Sequence, residues 1–202
     1  MPKLLQSKLE LSRCPHCNVD TPNLNFCGQG EFLTFTGNRR FWRHYVCGRC
    51  AGVITASAPN WEQEIQELYP AGIEVSSDIP DRPRAYLEQA INSLSSPAGA
   101  VMLAASSVDA MLKERGLSKG NLNARIDQAA SEHLITAEMA QWAHDIRLDA
   151  NDQRHSDQDA SLPTTEQAQK CVDFALALGQ FLFVLPKRVE RGIKNAKGNT
   201  AT

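Results

Sequence analysis

Two cysteine pairs, Cys14-Pro-His-Cys17 and Cys47-Gly-Arg-Cys50, stand 29 residues apart in this chain, and nothing else in it constrains the fold as strongly. A CxxC turn aims two thiolates at one point. Two such turns complete a tetrahedral four-sulfur shell of the kind zinc takes. Residues 32–36 and 41–46 have the composition of strands joined at Gly37-Asn38, and residues 53–57 read as a third strand. The pattern predicts a small three-stranded β zinc ribbon over residues 1–57, with Zn2+ held by Cys14, Cys17, Cys47 and Cys50. Two disulfides or a redox CxxC compete with this reading. Neither fits well, because no secretory segment and no βαβ pattern accompanies the pairs. A shell filled by four cysteines leaves no open position for catalysis, so the metal reads as structural. His16 and His44 offer substitute ligands that the site does not need, and Cys27 and Cys171 read as small buried hydrophobes.

The segment Asn38-Arg-Arg-Phe-Trp-Arg-His44 interleaves cations with aromatics, a composition that suits phosphates and unstacked bases. The alternative is an exposed hairpin whose Phe41 and Trp42 pack on the ribbon. Charge does not separate the two readings. Residues 1–60 carry seven Lys/Arg against three Asp/Glu, and residues 61–202 carry fourteen against twenty, within a net charge of −2. A basic head on an acidic body permits an anionic partner and proves none.

The remainder has the pattern of a helical body. Residues 58–83, with Pro59, Pro70, Pro80 and Pro83 and one short helical patch at 61–68, read as a linker. Five helical segments follow. They are expected at 84–94, from Pro97 to a stop at Gly116, at 121–133, from about Thr136 onward, and at 165–185. In the second, Val101, Ala105, Val108 and Leu112 recur at helical spacing, with Asp109 on the edge of that stripe. The apolar stretch 171–185 is 15 residues long and interrupted by Asp173, Gly179 and Gln180, too short for a bilayer span. Pro2 and Lys3 are not followed by the apolar run of a signal peptide, so a cytoplasmic protein without a membrane partner is expected. The lysines and arginines beyond Pro186 read as a basic helical tail. Short loops between such helices argue for an antiparallel bundle.

The chain resembles the bacterial family known as domain of unknown function 4145, within the HEPN (higher eukaryotes and prokaryotes nucleotide-binding) superfamily. The matching stretches are Glu67-Leu-Tyr-Pro70, Ile79-Pro80, residues 100–116 with an acid at Asp109, residues 122–126, and Ile146-Arg-x-x-x-Asn151-x-x-x-His155. The apolar last helix ending at Leu185-Pro186 completes them. The resemblance implies a mainly α chain, a HEPN-like antiparallel helical bundle over residues 84–202 behind the ribbon, and a homodimer. It implies one of two functions. One is a metal-independent endoribonuclease of toxin–antitoxin or antiviral defence systems, and the other is a non-catalytic nucleic-acid-binding or protein-interaction adaptor with a degraded motif.

On a helix, Arg147, Asn151 and His155 climb one slowly turning face, and His144 returns to nearly the same azimuth. Asp145, Asp149 and Asp152 gather about 100° away, and Met139, Ala143, Ile146 and Ala150 form an apolar flank. A metal-free ribonuclease needs a proton-moving group, for which His155 has a suitable pKa, and a fixed cation, for which Arg147 or Arg154 serves. Asn151 would orient RNA or fix the histidine, and the 2′-OH would attack. Two positions depart from the family pattern. Ala150 stands where an arginine usually precedes the polar residue, and Ala105 stands one turn before Asp109 where arginine is common. The alternative is a buried polar network of Asp109, Arg147, Asn151 and His155 that stitches two helices together.

Overall fold

The computed structural model describes residues 3–145 and 162–198. The chain divides into two compact units, Met1–Glu74 and Val75–Thr202. The boundary between them falls inside residues 58–83, the stretch expected as a linker, most of which belongs to the first unit.

The first unit is a four-stranded antiparallel sheet of β1 (Leu24–Leu33), β2 (Arg39–Cys47), β3 (Val53–Ala58) and β4 (Glu67–Tyr69), in that order. The expected ribbon lacked the fourth strand. Glu67, Leu68 and Tyr69 pair with Ser57, Ala56 and Thr55, so the patch expected to be helical is partly a strand. Strand β1 is also longer than expected and begins eight residues earlier than the anticipated Phe32.

One face of the sheet is closed. Phe41 and Tyr45 of β2 and Ile54, Ala56 and Ala58 of β3 alternate inward, the period-2 pattern of a half-buried strand. They pack with Leu5, Leu9 and Leu11 from the N-terminal arm, and the Tyr45 hydroxyl donates to the Gln6 carbonyl at 2.6 Å. A bulge at Cys27 interrupts the ladder. Phe26 pairs with Tyr45, and the next paired residue, Gly28, faces His44. A one-residue slip turns every later side chain to the opposite face. Phe26 accordingly lies against Tyr45 on the closed side, whereas Gly28, Gly30 and Phe32 share the other side with His44, Trp42 and Arg40. Cys27, the extra residue, is exposed rather than the buried hydrophobe expected.

The second unit comprises α1 (Asp81–Asn92), α2 (Pro97–Glu114), α3 (Leu122–Ser131), α4 (residues 137–145), α5 (Thr165–Gly179) and α6 (Leu185–Gly198). One π-helical turn, Gln180–Val184, joins the last two. Local signals set the ends. Pro97 opens α2, and Gly116 follows its end at φ 90°, a conformation that costs a glycine nothing. The Asn121 side chain accepts from the Ala124 amide (3.0 Å). Thr164 and Gln167 form a reciprocal capping box. The core lies around α2, whose Val101, Ala104, Ala105, Val108, Met111 and Leu112 are buried against Leu87 and Ile91 of α1 and Val172, Phe174 and Leu178 of α5. All four residues of the anticipated stripe are in it.

The helical run Thr165–Lys197 is 33 residues, long and apolar enough by length and composition to cross a membrane. Half of its apolar window is buried within the protein, as in a core helix. Its last part, α6, is amphipathic with its polarity reversed. Arg191 donates twice to the Asp78 carboxylate (3.0 and 2.8 Å), and Lys187 donates to the Asp78 carbonyl (2.9 Å). Leu185, Val189 and Ile193 meanwhile remain exposed, as does Phe181 before them.

Candidate metal centre, sheet face and Asp109 cleft

The same turn builds both cysteine knuckles. In the first, the Cys14 amide donates to the Val19 carbonyl (3.0 Å) and the Asn18 amide to the Cys14 carbonyl (2.9 Å). In the second, the Cys47 amide donates to the Gly52 carbonyl (3.0 Å) and the Ala51 amide to the Cys47 carbonyl (2.9 Å). Asn18 and Ala51 occupy equivalent places at φ 54° and 56°, the left-handed conformation that folds the chain back behind each second thiol.

The four sulfurs Cys14, Cys17, Cys47 and Cys50 all lie within 4.8 Å of one another. Cys14 Sγ and Cys50 Sγ are 3.9 Å apart. A tetrahedron with metal–sulfur bonds of about 2.3 Å places its sulfurs about 3.8 Å apart, so the cluster has the dimensions of a metal shell. No cysteine is in a disulfide. Burial pushes the Cys14 thiol up and carries Cys17 to about 12. Burial would raise Cys47 as well, but hydrogen bonds from the Cys50 and Arg49 backbone amides and from the Cys14 and Cys50 thiols together carry it down to about 7. Four thiols gathered at one point cannot all ionise without a cation among them, and a divalent metal supplies that charge. These residues fit a metal ion such as zinc.

Neither histidine joins the cluster. The His16 ring lies so close over Gly52 that a Cβ there would come within 2.4 Å of it, and its Nε2 contacts the Val53 carbonyl at 2.8 Å. It therefore braces one knuckle against the other. His44 Nδ1 meets Thr55 Oγ1 at 3.0 Å on the open side of the sheet.

That open side carries rings and cations together. Trp42 stacks with Tyr69 (centroids 6.4 Å apart, planes at 27°), and the Arg40 guanidinium lies 5.8 Å from the Trp42 ring. Phe32, 63% exposed, lies with its ring over Gly30. Phe41 faces the other way and packs edge-on against Trp61 at 4.8 Å. Within the segment 38–44, residues 39–44 are thus strand, and they divide their aromatics between the two faces. The basic head does not survive the true boundary of the unit. Glu62, Glu64, Glu67 and Glu74 bring the acids of Met1–Glu74 to seven, equal to its Lys/Arg. Arg40 itself pairs with Glu67 at 3.4 Å.

Of the residues nominated for catalysis, Arg147, Asn151, Arg154 and His155 lie outside the described residues, as does Ala150. Asp109 is described, and its partners come from elsewhere. Its two carboxylate oxygens are taken by Arg125 of α3 and Lys113 of its own helix. Arg125 also donates to the Gly120 carbonyl at 2.7 Å. Together with Arg82 and Tyr86 these residues line a cleft of about 660 Å³. His144 on α4 reaches back to Asn123 and Asp127 of α3, at 3.0 Å each. Sequence reasoning missed Arg125. Its one signal was a place in the stretch 122–126, since a single arginine on an amphipathic helix usually snorkels to solvent.

No curated protein and no solved structure matches the chain. A family model described as "Domain of unknown function (DUF4145)" matches residues 88–196. That match runs through all the described helices from α1 to α6 and covers more than half of the 202 residues, so the chain belongs to this family.

Proposed function

We propose that the chain is a nucleic-acid-associated module of a prokaryotic defence or toxin-like system, a HEPN-like helical bundle preceded by a zinc-stapled ribbon. The observation that supports it is the open sheet face, where Phe32, Trp42 and Tyr69 stand beside Arg40. Rings on the open face of a sheet, Phe32 and Tyr69 exposed and Trp42 half-buried between them and Arg40, suit stacking on unpaired bases, at roughly 1–3 kcal/mol per base. Zinc is the metal we assign to Cys14, Cys17, Cys47 and Cys50, because four soft thiolates in a tetrahedral shell favour it. Its role is structural, holding the two knuckles together.

Fluorescence anisotropy with labelled single-stranded RNA tests the reading. Wild type is expected to bind with shallow salt dependence, because Arg40 is already paired and stacking carries the affinity. Trp42→Ala is expected to weaken binding between about 5- and 100-fold. Absence of binding by wild type, or equal binding by the variant, overturns the proposal.

Within the helical unit two versions of this reading divide. In one, His155 with Arg147 or Arg154 cleaves RNA without a metal. In the other, the bundle is a non-catalytic adaptor that engages a protein partner. The engagement of both Asp109 oxygens by Arg125 and Lys113 favours the second, since that carboxylate is already neutralised by structural cations. Chelator-resistant RNA cleavage by wild type that is lost in His155→Ala would reverse the choice. We further propose a homodimer through the exposed row Phe181, Leu185, Val189 and Ile193. Phe174 and Phe183, on the same helical run, are buried in the unit's own core and do not contribute to that row. Light scattering that reports a monomer at micromolar concentration counts against the dimer.

A further inference from the structure

The hairpin between β1 and β2 ends in apolar side chains that nothing covers. Phe35 at its tip is wholly exposed, and Leu33 and Phe32 are largely so. Three such residues among four are more than the scattered apolar groups of an ordinary surface. The tip is nonetheless firmly built. The Thr34 amide donates to the Asn38 carbonyl (2.8 Å), the Gly37 amide to the Thr34 carbonyl (2.9 Å) and the Asn38 amide to the Thr34 hydroxyl (3.1 Å). A ring held out on a fixed turn loses little freedom when something covers it, which favours binding.

The surroundings select among occupants. Thr34, Thr36 and Asn38 lie among the apolar residues, and insertion in a bilayer would strip them of water. Three side chains are too few for a specific protein interface. A second copy would bring like charges together, since residues 24–47 carry three arginines against one acid. A stack of bases answers all three objections, because its faces are apolar and its backbone is anionic and rich in acceptors. Behind the tip, Thr34, Asn38, Arg39, Arg40, Pro59 and Gln66 line a cleft of about 500 Å³. Arg40 also lies beside the Trp42 ring, so the cleft adjoins the ring row of the open face.

We infer that Phe35 is a wedge that stacks on the last base pair of a stem, so that the ligand of the sheet face is a nucleic acid at the point where a duplex opens into a single strand. The departing strand runs through the cleft beside Arg40 to Trp42 and Tyr69. A terminal base pair is the broadest flat apolar face that a nucleic acid exposes, and an open stem end presents it next to unpaired bases. The inference deepens the sheet-face reading and rests on it.

Fluorescence anisotropy of the full, metal-loaded chain tests it with three labelled RNAs: a stem with a single-stranded overhang, the overhang alone, and the blunt stem. The stem with overhang is expected to bind about 5- to 100-fold more tightly than either part, the contribution of one further stacked face. Phe35→Ser should remove that advantage and Phe35→Trp should keep it. The side chain is wholly exposed, so neither change disturbs the core. Trp42→Ala should weaken the overhang with and without its stem alike. Wild type that binds the stem with overhang no better than one of its parts overturns the wedge and leaves the sheet face standing. So does an advantage that survives in Phe35→Ser. Absence of binding to all three RNAs overturns the sheet-face reading itself, and the wedge with it. Sedimentation with phosphatidylglycerol vesicles covers the remaining occupant. Vesicle binding that is lost in Phe35→Ser assigns the tip to a lipid surface and also overturns the wedge.

Discussion

At residue 51 the chain places an alanine where its counterpart in the first knuckle has an asparagine. Both positions are left-handed. Asparagine tolerates that conformation, whereas an alanine there costs roughly 1–2 kcal/mol relative to glycine. Part of that is returned by the greater freedom of glycine in the unfolded chain. Ala51→Gly is therefore expected to stabilise the metal-loaded first unit by about 0.5–1 kcal/mol, read as a higher denaturation midpoint. Gly52→Ala, one residue on, should do the opposite, because its methyl group would displace the His16 ring. The knuckles were legible because two thiols at that spacing have few uses other than a shared metal. The Cys27 bulge was not. A bulge is settled by how two strands pair, and only the neighbouring Gly28 hinted at it. Arg125 escaped for a related reason, since its partner Asp109 is 16 residues away and no periodicity connects them.

Among the elements, β4 and α6 departed most from their sequence signals, and in each case tertiary partners decided. Glu67-Leu-Tyr69 lies among prolines and has little strand character of its own, but the free edge of β3 pairs with it. The expected basic tail is helical, yet two of its cations, Lys187 and Arg191, turn toward Asp78 and its apolar row turns outward. The Arg191 guanidinium, hydrogen-bonded to Asp78, holds that carboxyl below the usual carboxylate range. A carboxyl whose folded pKa is depressed contributes stability above its unfolded pKa and loses it as pH falls through the folded value. The attachment of α6 should thus persist at neutral pH and weaken only in acid. Asp78→Asn should reproduce the acid state at pH 7. Hydrogen exchange would show this as faster exchange of the α6 amides with α2 unchanged, and unchanged exchange in α6 would refute the Asp78 anchor.

For the whole molecule, the two units should differ in what holds them together. Met1–Glu74 has a small core of eleven buried apolar residues, two of them metal-site cysteines. A unit this small is marginal without a staple. Metal binding is expected to supply on the order of 10 kcal/mol of its stability. Val75–Thr202 has a far larger core and none of the four clustered thiols. Calorimetry after chelation should therefore lose the transition of the first unit and keep that of the second. A single transition unaffected by chelator would mean that the four cysteines do not hold the fold. Elemental analysis is expected to find one zinc per chain.

The bulge that turned Cys27 outward also leaves the protein with a built-in gauge. Cys27 is exposed, the four clustered thiols would be masked by their metal, and Cys171 is buried in the helical core. A thiol-counting reagent should accordingly find one fast-reacting sulfur in the loaded protein. Chelation should raise the count to five by releasing Cys14, Cys17, Cys47 and Cys50. The sixth, Cys171, should appear only when the helices themselves come apart. One colorimetric titration would then report metal occupancy and the integrity of each half of the chain as separate steps.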